Sequence, residues 1–344
     1  MSRSSAGFDW ISIFIYLILI CFGWANIYSA SLGTSTGSFF DLSQPYGKQA
    51  LFIGLSIFLI IIILSIEAKF YQRFSSIIYL ISLLSLVGLF VFGKTISGAT
   101  SWYSFGSFGI QPSEFAKFAT ALALAKYLSD IQTNIRKMSH QVKAFIIIAI
   151  PALLIVPQPD PGSALVYAAF FFPLYREGLS GFYLITGLTG VAVFILTLVV
   201  GPIWVSAAVI LIALFLFSRK RKKRPGRLLI TLFAIISIGL SFSVNYIFEN
   251  VFEQRHRDRF NIVLGKEVDS RGIGYNTNQS EIAIGSGGWL GKGWTEGTQT
   301  KGHFVPEQHT DYIFSTVGEE WGFLGSALVV ILFVLLLIRL LQLA

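Results

Sequence analysis

The chain is poor in charge and nearly devoid of cysteine. Only 13% of its 344 residues are charged, about half the roughly 25% of an average soluble domain. A single cysteine, Cys21, excludes an intramolecular disulfide and a cysteine-based metal centre. What fills the chain is apolar: 54% of residues are hydrophobic, and stretches 11–20, 49–66 and 323–338 carry almost no charge. A hydrocarbon layer about 30 Å thick asks for roughly 20 such residues in a helix. A soluble core would not need so many of them.

Hydropathy places ten candidate helices at about 10–29, 49–66, 75–93, 113–129, 143–157, 161–175, 180–200, 203–217, 228–247 and 321–341. The expected fold is therefore all-α, a polytopic transmembrane helical bundle of about ten spans, forming one integral membrane domain over 1–344. Arg3 ahead of the first stretch has the look of a secretory leader, but further spans follow, so a span is expected there. Stretches 143–157 and 161–175 are short and separated by Pro157, Pro159 and Pro161. Interrupted backbone of this kind persists in a membrane only where protein or a water-filled cavity covers its free polar groups.

The net charge of +8 is distributed as a topology signal. One set of short loops carries Lys69, Arg73, Lys126, Arg136, Lys137, Lys143, Arg176 and the run from Arg219 to Arg227; the alternate set carries Lys48 and Lys94. Basic short loops face the cytoplasm, which puts both termini there and makes the basic run a membrane-lipid contact. No nucleic-acid partner is expected. The opposite face receives one long extracytoplasmic segment, 249–320, with eleven of the 18 acidic residues and seven of the 26 basic ones. Loops of such length are uncommon without a function. Its first part, 251–264, interleaves apolar residues with Arg255, Arg257 and Arg259, a pattern suited to a helix lying along the interface.

Ionisable residues within or beside spans are costly and mark candidate sites. Glu114 and Lys117 stand at i and i+3, one face of a helix that Ser113 could cap. Asp160 lies between Pro159 and Pro161, placed to cap a helix whose first residue is Pro161. In the long segment, 284–294 is glycine-rich and includes Lys292; its amides could form an anion nest, although the spacing is not that of a P-loop. Glu307, His309 and Asp311 then crowd five residues ahead of an apolar run. His309 has only His303 as a weak companion, so zinc hydrolase chemistry is not expected.

These segments carry a family resemblance. Gln111-Pro112-Ser113-Glu114-Phe115-Ala116-Lys117, Gln158-Pro159-Asp160-Pro161-Gly162-Ser163, Gly272-Ile273-Gly274-Tyr275, Ile284-Gly285-Ser286-Gly287-Gly288 with Gly291-Lys292-Gly293-Trp294, and Pro306-Glu307-Gln308-His309-Thr310-Asp311-Tyr312 follow one another in the order of the SEDS family of cell-shape, division and sporulation proteins. Glu319, Glu320, Gly322, Phe323 and Gly325 extend the match.

The resemblance implies a peptidoglycan glycosyltransferase that polymerises lipid II beside a class B penicillin-binding protein, in the bacterial inner membrane. It places the essential acidic residue at Asp311, the paired Glu and Lys at Glu114 and Lys117, and the loop Asp at Asp160. Lys48 stands where relatives usually carry Arg; a point charge replaces a bidentate fork. Stretch 203–247 reads as an inserted helical hairpin. The last two spans of relatives, with their glycine motif, have no counterpart before Ala344, so a form shorter than its relatives is expected, its activity open.

The implied chemistry is inverting. Asp311 acts as general base with Glu307 as its carboxylate neighbour. Lys48, Lys117 and Lys292 are candidates to hold a diphosphate, and Glu114, Asp160 and His309 complete the substrate-binding set. No organic cofactor is expected; a divalent cation, magnesium or manganese, is the one helper this chemistry could use. The rival readings are a lipid II flippase and a noncatalytic scaffold for the transpeptidase.

Overall fold

The computed structural model describes residues 9–32, 39–96, 98–106, 108–219, 226–250, 252, 254–265 and 273–343. Arg3, most of the basic run (220–225) and Gly272 lie outside the described residues. Among the described residues seven helices are long and apolar enough to cross a membrane: α1 (Trp10–Ser31), α2 (Pro45–Ser65), α3 (Ala68–Phe92), α5 (Met138–Ile155), α8 (Gly181–Val200), α10 (Gly226–Asn250, counted from Ile230) and α14 (Ile313–Leu343). Between them run α4 (Pro112–Ser129), α6 (Pro161–Leu165), α7 (Phe171–Arg176), α9 (Pro202–Arg219), α11 (Gln254–Val263), α12 (Ile273–Ser286) and α13 (Thr298–Lys301). The apolar stretch of α9, Pro202–Ser218, is shorter than these seven helices.

Three features depart from the sequence expectations. A three-stranded antiparallel sheet, β1 (Lys94–Ile96), β2 (Ala99–Phe105) and β3 (Phe108–Ile110), joins α3 to α4. Its core strand is rich in Thr, Trp, Tyr and Phe, the residues that suit a pleated surface. Stretch 161–175 is not one helix: α6 gives way to a 3₁₀ turn at Val166–Phe170 and then to α7, which contains Pro173. Pro173 has no N–H to donate, so the regular helical ladder is interrupted there. Finally, α4 starts one residue before the expected cap. Gln111 holds the cap position without a side-chain capping bond, and the Ser113 hydroxyl is buried with no partner among the described residues.

The chain divides into two compact units, 64–247 and the combination of 1–63 with 248–344. In the first, Leu86, Leu89, Ala116, Leu124, Ile155 and Tyr167 form the buried core of α3, α4, α5 and the 3₁₀ turn. Polar ties fix the connections to α3. Tyr103 Oη donates to the Ser85 carbonyl at 2.8 Å, and Gln158 Nε2 to the Leu86 carbonyl at 3.1 Å. Thr100 N in turn donates to the Gln158 carbonyl at 3.2 Å, so the sheet and the proline-rich turn share one anchor.

In the second unit α1 and α14 pack antiparallel. Arg339 bonds Asp9 through Nε at 3.1 Å and Nη2 at 3.2 Å; toward the other end Trp321 Nε1 donates to Asn26 Oδ1 at 3.2 Å. At 1.5 Å per residue the two anchor points are about 26 Å apart along each helix, close to the thickness of a hydrocarbon layer. The Arg339 guanidinium, aided by Ser12, holds the Asp9 carboxyl below its ordinary 3.8. A lowered carboxylate pKa stabilises the fold above the ordinary value, and that contribution is lost as pH falls through the lowered one. Thermal unfolding of Asp9→Asn, Arg339→Gln and the double variant is expected to show coupling at pH 7 that fades below pH 3.8. Equal coupling at both pH values would contradict the pairing.

Candidate functional site

The site begins with a broken helix. α14 is interrupted at Gly322, whose φ of 65° and ψ of −162° suit glycine alone. The break frees backbone groups on both sides, and two on each side find partners in the glycine-rich segment. Lys292 N and Gly293 N donate to the Glu319 and Glu320 carbonyls, both at 3.0 Å. Phe323 N and Leu324 N donate to the Gly288 and Trp289 carbonyls at 2.9 and 3.2 Å. Unpaired backbone in an apolar setting would be costly, and here the loop supplies what the helix gives up.

Two of the glycines therefore serve close backbone packing. A Cβ on Gly287 would lie 2.0 Å from the Gly318 carbonyl oxygen, and one on Gly291 2.2 Å from that of Glu320. Neighbouring Gly285 has open space around it.

Close approach of the two backbones buries Glu319 completely. Its Oε1 accepts from Lys292 Nζ at 2.7 Å, Gln299 N at 2.8 Å and Thr298 Oγ1 at 3.2 Å; its Oε2 accepts from Thr300 N and Thr300 Oγ1, both at 2.8 Å. Lys292 Nζ also donates to Ser286 Oγ and Thr298 Oγ1, both at 2.8 Å. An ammonium has three protons to donate, and all three are engaged. Lys292 is thus anchored to the buried Glu319 carboxylate. Adjacent Glu320 is buried and accepts from Ser29 Oγ of α1.

Downstream, residues 303–312 form a loop that arrives at α14. His303 and Glu307 sit at positive φ, 50° and 53°, conformations that cost non-glycine residues about 1–3 kcal/mol each and gather at functional sites. The Glu307 carbonyl accepts from Thr310 N at 3.1 Å and Tyr312 N at 3.2 Å, closing the turn. Thr310 Oγ1 donates to the Glu307 carboxylate at 3.0 Å. Asp311 is exposed, two residues before α14; His309 is half-buried. Lys48, near the start of α2, is exposed, with no ion pair among the described residues. Tyr46 beside it is buried in an aromatic group with Tyr28, 5.0 Å between ring centroids.

The remaining sequence candidates belong to the other unit. Lys117 Nζ donates to Glu114 Oε1 at 2.7 Å, the expected pair. Asp160 caps α6: Oδ1 accepts from Ser163 N at 3.1 Å and Oδ2 from Ser163 Oγ at 2.8 Å, with Pro161 first in the helix. Gln111 Nε2 donates to Asp160 Oδ2 at 3.0 Å, joining two of the sequence motifs. Among the described residues no three His, Cys, Asp or Glu side chains gather as metal ligands.

Sequence reasoning named Glu319 and Glu320 only as part of the resemblance. Their signal was two adjacent carboxylates opening an apolar run, where an ionised group needs a partner. The partner, 27 positions upstream, left no local trace.

The fold, with this lashed, carboxylate-bearing loop beside a broken helix, defines a multi-pass helical membrane protein. Residues 9–226 and 225–344 match the family described as cell cycle protein, that of FtsW, RodA and SpoVE, and the chain belongs to it. The peptidoglycan glycosyltransferase RodA of Treponema pallidum is 33% identical, over 97% of this chain and 81% of the relative. The peptidoglycan glycosyltransferase MrdB of Escherichia coli K12 is 29% identical, over 95% and 73%. Among solved structures, a chain of a peptidoglycan synthase complex that coordinates polymerization and crosslinking superposes with a TM-score of 0.62 at 23% identity, covering 98% of this chain and 78% of that one. RodA of Thermus thermophilus gives 0.52 at 22%, over 97% and 74%. At such identities the structures speak to the fold alone.

Proposed function

We propose that this chain is a peptidoglycan glycosyltransferase that polymerises lipid II into glycan strands during elongation, on the outer face of the cytoplasmic membrane. The observation that carries the reading is Asp311. It is an exposed carboxylate on a tightly turned loop, in a chain whose curated relatives are named for this activity. The bias of Lys and Arg toward one set of short loops supports an outer-face site and cytoplasmic termini.

In the reaction, an acceptor sugar hydroxyl attacks the anomeric carbon of the donor. The new C–O bond forms as the bond to the diphosphate oxygen breaks, and the diphosphate leaves on its lipid. A diphosphate needs little protonation to depart, so the group required is a base for the hydroxyl proton. Asp311 takes that proton, and attack opposite the leaving group inverts the anomeric centre. Lys48 offers a charge to the diphosphate. Glu307 and His309 border the base on the same loop. Glu114, Lys117 and Asp160 stay in the substrate-binding set on the strength of the resemblance. A class B penicillin-binding protein, which crosslinks peptides, is the expected partner.

Incubating purified full chain in nanodiscs with fluorescent lipid II separates the readings. Polymer on a gel supports the enzyme. Lipid scrambling between leaflets without polymer would replace it with transport, and binding of a transpeptidase without either would leave a scaffold.

A further inference from the structure

The Asp311 loop is held by a buried amide. Gln308, between Glu307 and His309, is 3% exposed. Its Nε2 donates to the Ala30 carbonyl of α1 at 2.7 Å and the Thr300 carbonyl at 2.9 Å, and lies 2.9 Å from His303 Nδ1. An amide nitrogen has two protons, and the two carbonyls take both. A flipped amide would press an oxygen against two carbonyl oxygens, so the orientation is fixed. Thr300 is itself immobilised, its N–H and hydroxyl both bound to Glu319. A continuous path thus runs from the buried carboxylate through Thr300 to Gln308 and the loop that ends at Asp311.

We propose that Gln308 and Glu319 are positioning residues of the transferase reaction, a two-link clamp that keeps the Asp311 carboxylate where the acceptor hydroxyl arrives. The proposal rests on the reading of Asp311 as the base. Neither residue touches substrate: Glu319 is sealed, and Gln308 spends its donors on the backbone. Freed from the clamp, the loop spends less time in the reactive geometry, while the groups that bind the lipid are untouched. Misplacement of a catalytic group by about 1 Å can cost on the order of 100-fold in rate. The loss therefore falls on kcat and spares KM.

Gln308→Met keeps the side-chain length and removes both donors. In nanodiscs with fluorescent lipid II, its kcat is expected to drop about 10- to 100-fold with KM within about twofold. Glu319→Asp is the second variant: the charge beside Lys292 remains, but the carboxylate withdraws from Thr300 by one methylene. The same kcat-only loss is expected. Hydrogen exchange on the unaltered chain adds a measurement that no folding defect can obscure, because the Thr310 and Tyr312 amides should exchange slowly. A folded variant with normal kcat, a loss carried by KM, or fast exchange at those amides overturns the clamp. Asp311→Asn in the same assay keeps the two ideas apart. Activity in that variant sinks the base assignment, whereas its inactivity beside fully active clamp variants sinks only the clamp.

Discussion

Asp311→Asn is expected to reduce glycan polymerisation by about 100- to 10,000-fold, the range a general base contributes, while the protein inserts and melts as before. Asn has the shape of Asp and lacks the basic oxygen. Because Asp311 is exposed, with no hydrogen bond among the described residues that the exchange would strand, stability should be spared. Lipid II binding should be spared too, because the base meets the acceptor hydroxyl rather than the diphosphate. Binding of fluorescent lipid II, thermal unfolding and gel analysis of polymer together check this. Product at more than a tenth of the normal rate would remove Asp311 from the chemistry. Glu307→Gln should be milder, since its carboxylate already accepts from Thr310 within the turn.

What the sequence made legible was local. The Glu114–Lys117 pair and the Asp160 cap each join residues three positions apart, and residue type with helical spacing predicts both. The helical stretches were legible because an apolar span leaves a long, averaged signal. The small sheet was missed because a few short β-prone residues between two strong helical patterns leave a weak one. Lys292 shows the limit at the site: a lysine in a glycine-rich segment carries no local sign of the partners it holds. Those partners are Glu319, 27 positions away, with Ser286 and Thr298. Gln308 is tied to Ala30 across 278 positions. No pattern in composition or period encodes such a bond, since it depends on how α1 and the loop are brought together. The glycines teach the same lesson, since Gly285 and Gly287 are alike in sequence and opposite in surroundings.

Gly322→Ala is expected to be among the most damaging single-methyl changes in the unit that holds α1, the 273–312 segment and α14. Two effects add. The backbone there lies at φ 65° and ψ −162°, a region essentially reserved for glycine. The strain alone costs about 1–3 kcal/mol. The new methyl would also sit 2.3 Å from Gly291 N and 2.8 Å from the Leu290 and Trp289 carbonyl carbons. All three are backbone atoms, with no flexible side chain to yield. Relief requires α14 and the glycine segment to separate, which strands the carbonyls of Glu319 and Glu320 and exposes the buried Glu319 carboxylate to an unpaired state. Removing one partner of a buried ion pair costs about 3–5 kcal/mol, so the penalties together rival the whole stability of a typical domain. Gly285→Ala, with nothing within 4 Å of its Cβ, is the control in the same motif and should behave as the native chain does. Yield of monodisperse protein and hydrogen exchange at the Lys292 and Gly293 amides read the difference. Equal yield and protection in both variants would mean that the helix break does not depend on close backbone approach, and the account of the glycine motif given by that contact would fail with it.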